Sequence, residues 1–100
     1  MDTKLLERLL NSIGRSCFIK HYDLFTNPNF STSDVVKELI ESEGYCISGS
    51  QTRANCAKRI IKNNALSQSL ELIIATRKIP DEIKQKAIAL QNKSFMSVSL

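Results

Sequence analysis

Apolar side chains recur at Leu5, Leu6, Leu9, Leu10 and Ile13, the three- and four-residue spacing of an amphipathic helix. Asp2 stands where an N-cap belongs. The stripe continues through Cys17, Phe18, His21, Tyr22 and Phe25, with Gly14 between the two stretches. Gly14 either ends the first helix or sits inside a longer, weakened one, and two helices is the reading adopted. Asn27-Pro28-Asn29 then marks a loop, since proline disfavours helical geometry in the residue before it.

Ser31 and Asp34 resemble a capping box, and Phe30 and Val35 are placed as a hydrophobic staple around it. A helix is predicted from Thr32, buried through Val35, Val36, Leu39 and Ile40 and stopped by Gly44. Ser48 and Gln51 offer a second capping pair, so the next helix is read as 49–63, with Ala54, Ala57, Ile60 and Ile61 inward. Leu66, Leu70, Ile73 and Ile74 mark another, ending near Arg77. Pro80, Asp81 and Glu82 open a last one with Ile83, Ala87 and Leu90 inward. No strand is predicted. The fold class is all-α, a compact bundle of five or six short helices forming one domain over 1–92, with a frayed tail over 93–100.

A chain of 100 residues with 42% hydrophobic and 24% charged residues has enough apolar surface for one core and resembles ordinary globular composition. The start, Met1 to Arg8, mixes charge into its apolar positions and predicts neither a signal peptide nor a membrane span, hence a cytoplasmic protein. Cys17, Cys46 and Cys56 are widely spaced, with no Cys-x-x-Cys and a single histidine, and are read as reduced thiols. No metal and no cofactor is predicted.

Charge changes the picture by its position. The net charge is +4, and residues 45–70 hold Arg53, Lys58, Arg59 and Lys62 with no acid. At 100° per residue, Gln51, Thr52, Asn55, Lys58, Arg59 and Lys62 fall on one outward arc. Lysine and arginine neutralise phosphates, while arginine, asparagine and glutamine pair with base edges. The pair of helices across 32–63 also has the order of a helix-turn-helix. Two features oppose that likeness: the connector Gly44 to Ser48 exceeds the usual three or four residues, and the preceding helix carries Asp34, Glu38, Glu41 and Glu43. A solvated basic face balancing this acidic helix is the competing explanation.

The leading expectation is a small non-enzymatic DNA- or RNA-binding protein, of a kind suited to regulation, using the arc from Gln51 to Lys62. The alternative is a helical protein-interaction module or homodimer using the apolar N-terminal helices through Leu9, Ile13 and Phe25. Cys17 and His21 stand one helical turn apart, as a thiolate–imidazole pair would, but no third orienting residue accompanies them. A buried thiol and a hydrogen-bonded core histidine are expected instead, and no catalytic residue is assigned.

Overall fold

The structure, a computed structural model, describes the backbone of residues 1–98 and the side chains of residues 1–93. Among the described residues there are seven helices and no strand: α1 Thr3–Ile13, α2 Arg15–Lys20, α3 Tyr22–Thr26, α4 Thr32–Glu43, α5 Ile47–Lys62, α6 Leu66–Ala75 and α7 Asp81–Val98.

Asp2 caps α1, its side chain accepting from the Leu5 amide at 3.1 Å, and Leu6, Leu9, Leu10 and Ile13 are buried behind it. Gly14 ends the helix at φ 90° and ψ 122°, so α1 and α2 are separate. The expected second helix is itself divided. At His21 the backbone leaves helical geometry (φ −107°, ψ 25°), and α3 restarts at Tyr22. The apolar stripe runs unbroken across this joint, which is why spacing alone showed one element. Phe18 is fully buried there, edge-on to Tyr22 at 5.8 Å and stacked on Phe25 at 6.0 Å.

The capping box opens α4 as expected: the Asp34 amide donates to Ser31 Oγ, and the Ser31 amide donates to the Asp34 carboxylate. Gly44 closes it in the left-handed region (φ 70°, ψ 20°). α5 lies at the centre, packed on α1 and α4 and touching α3 and α6, while α6 pairs with α7 and α7 reaches α2. Its buried face is narrow, made of Ser50, Ala54, Ala57 and Ile60. Small side chains at these positions let neighbouring helices approach closely and leave the long polar residues outside.

α6 stops at Ala75, and α7 starts just after Pro80. The frayed tail expected from Lys93 is not found over its first part: α7 continues helically to Val98, because nothing after Leu90 breaks a helix, and residues 99–100 lie outside the described residues. Among the described residues no helix is long and apolar enough to cross a membrane.

Candidate nucleic-acid interface

The start of α5 differs from the expected one. Cys46 is its N-cap, extended at φ −69° and ψ 164°, with Sγ accepting from the Gly49 amide at 3.3 Å. Ser48 therefore lies inside the first turn, where its carbonyl accepts from Thr52 Oγ1 at 3.0 Å. The exposed Cys46 thiol is held below its ordinary range by the Ser48 hydroxyl and then by the Gly49 amide. The connector between α4 and α5 shrinks accordingly to Gly44, Tyr45 and Cys46. Three residues, the first a left-handed glycine, is a length found in helix-turn-helix pairs.

Gln51, Thr52, Asn55, Lys58, Arg59 and Lys62 are all exposed along α5. Near its end the Asn63 side-chain amide donates to the Arg59 carbonyl at 2.7 Å and covers one of the last acceptors of the helix. The first turns of α5 share a groove of about 330 Å³ with α4, lined by Ser33, Val36, Lys37 and Ile40 on one side and Ile47 and Gln51 on the other. No carboxylate lines it. Lys37 and Ile47 were not among the residues singled out from the sequence; the signal for Lys37 was its place one turn beyond Ser33 on α4. Ile47 is 64% exposed, beside the apolar side chains of that groove.

The acids of α4 are turned elsewhere. Asp34 is engaged in the capping box, and Asp34 and Glu38 line a different depression with Leu24 and Phe30 of the α3 region. Glu38 also accepts from Ser42 Oγ at 2.9 Å. Glu43 binds Lys20 Nζ at 2.7 Å and His21 Nε2 at 2.8 Å, and these two partners, Lys20 first, hold its carboxyl below the usual carboxylate range.

The Glu43 bridge has a pH signature. A depressed carboxylate stabilises the fold above its unfolded pKa of about 4.3, and that contribution is lost as pH falls through the lower folded value. Glu43→Gln is therefore expected to reduce the urea midpoint at pH 7 and to match the parent chain at pH 3. Equal midpoints at both pH values would show that the bridge is energetically silent.

The N-terminal apolar face requires a correction. Leu9 is 8% exposed, Ile13 0% and Phe25 6%, all inside this chain's own core. None of the three presents a surface to a partner, because α5 and the aromatic cluster cover them. Cys17 is also buried, and burial raises its thiol above the ordinary range. His21 faces Glu43, so the hydrogen-bonded histidine is present and its Nε2 is occupied. Among the described residues no three His, Cys, Asp or Glu side chains come together as a metal site would require. Compared with family models, curated proteins and solved structures, the chain matches none.

Proposed function

We propose that this chain is a small non-enzymatic nucleic-acid-binding protein that lays α5 along the major groove of duplex DNA. The single observation that carries this reading is the acid-free outer side of the α4–α5 pair: exposed cations and amides on α5, a three-residue turn, and the α4 carboxylates capped, bridged or facing α3. Lys58 and Lys62 suit phosphate oxygens. Gln51, Asn55 and Arg59 supply the amide and guanidinium groups that read base edges.

Fluorescence anisotropy of a labelled DNA duplex, titrated at several salt concentrations, tests it. Changing Lys58, Arg59 and Lys62 together to Gln is expected to keep the helical circular dichroism spectrum and to weaken binding. The slope of log K against log salt should become shallower by about 2.7, the value for three lost phosphate contacts on B-DNA. Binding that is absent, or unchanged in strength and salt dependence in the triple variant, overturns the proposal. Preference for an RNA hairpin over the duplex would overturn the DNA assignment.

A further inference from the structure

On the flank of α5 outside the arc, an open cleft of about 620 Å³ lies between the start of α2, the corner at Tyr45 and the segment joining α6 to α7. Four cationic side chains line it, Arg15, Arg53, Arg77 and Lys78, and no carboxylate does. The nearest acid felt there, Glu43, is engaged by Lys20 and His21. Burial keeps the Cys17 thiol of the lining neutral, so it adds no negative charge.

Gathering like charges is self-repulsive, yet two of these groups are held in place. The Arg53 guanidinium sits 3.9 Å from the Tyr45 ring centroid, and its Nη1 donates to the Gly49 carbonyl at 3.1 Å. Residue 49 has to be small, since a Cβ there would come within 3.0 Å of that Nη1. Arg15 donates through Nη1 to Asn11 Oδ1. In both arginines the Nε–H is buried without an acceptor. Guanidinium groups with unfilled donor capacity, converging without a counter-charge, form a receptor for anions.

We propose that this cleft binds a multiply phosphorylated small molecule. A single carboxylate would neutralise one of the four cations, whereas a di- or triphosphate brings enough charge for all of them and oxygen pairs that match guanidinium forks. The volume lies within the roughly 300–1,000 Å³ of small-molecule sites. No residue is shared with the arc of Lys58, Arg59 and Lys62, so this site stands or falls apart from nucleic-acid binding.

Inorganic pyrophosphate, titrated into the full chain with ionic strength held constant by sodium chloride, tests it. The expected result is a saturable shift of the amide resonances of Gly14, Ser16, Arg77 and Lys78, with a rise in melting temperature. Arg77→Gln combined with Lys78→Gln changes two exposed residues; it should keep the helical spectrum and weaken binding by about tenfold or more. The triple Gln variant of the arc should bind pyrophosphate like the parent. The proposal is overturned by shifts that sodium chloride reproduces, by undiminished binding in the Arg77/Lys78 variant, or by loss of binding in the arc variant.

Discussion

Replacing Phe18 by alanine is expected to lower the unfolding free energy by about 3–5 kcal/mol, the cost of emptying an aromatic site in a packed core. Phe18 is fully buried, and its ring is the shared neighbour of Tyr22 and Phe25. Both helices it joins are short, α2 with 6 residues and α3 with 5. Helices of that length do not persist in water by themselves and depend on tertiary packing. Since whole domains are stable by only about 5–15 kcal/mol, the substitution removes a large share of the margin. The urea midpoint should fall by more than about 1 M. Phe30→Ala is the matched control: that ring is 43% exposed, so it has less packing to lose. Equal losses at the two positions would show that Phe18 does not organise the core.

Gly14→Ala is expected to cost about 1–3 kcal/mol, through backbone torsion alone. At φ 90° and ψ 122° the residue occupies a region that side chains avoid, while a Cβ there would meet Cys17 Cβ at an ordinary 3.6 Å. Gly44 is a useful contrast, because φ 70° and ψ 20° is the left-handed helical region, which asparagine tolerates. Asparagine should therefore recover much of the alanine loss at 44 and little of it at 14. Urea titrations of the four variants check this, and rescue by asparagine at both positions would contradict it. The Gly14 corner also orients Arg15 toward the cationic cleft, so Gly14→Ala should weaken pyrophosphate binding along with stability.

The parts of the fold that were legible in the sequence are the ones made by neighbours along the chain. Asp2, the Ser31–Asp34 pair and Gly44 act over three or four residues, and each sits in the predicted role. The start of α5 was misread for a reason equally local. Cysteine is not among the usual caps, so Ser48 and Gln51 drew the boundary inward, and the α4–α5 connector seemed too long for a helix-turn-helix. The break at His21 left no mark in the apolar stripe, since an imidazole half-buried against Glu43 keeps the spacing intact.

Of the candidate interface, the arc on α5 was readable because a helical wheel assigns faces without knowing the neighbours. The orientation of the α4 acids was not readable, since Glu43 finds its partners in α2 and at the α2–α3 joint. Leu9, Ile13 and Phe25 had been allotted to a partner by counting apolar residues. Packing against α5 and around Phe18 uses that surface within the chain.

Helical class, most helix ends and the acid-free basic stretch were thus determined by the sequence itself, because capping bonds and the helical period link residues a few positions apart. The tertiary structure decided which apolar faces are consumed and which charges remain available. It also brought Arg15, Arg53, Arg77 and Lys78 to one cleft, although long stretches of chain separate them. Burial and Coulomb interactions act through space, so their outcome is set only once distant segments have been packed together.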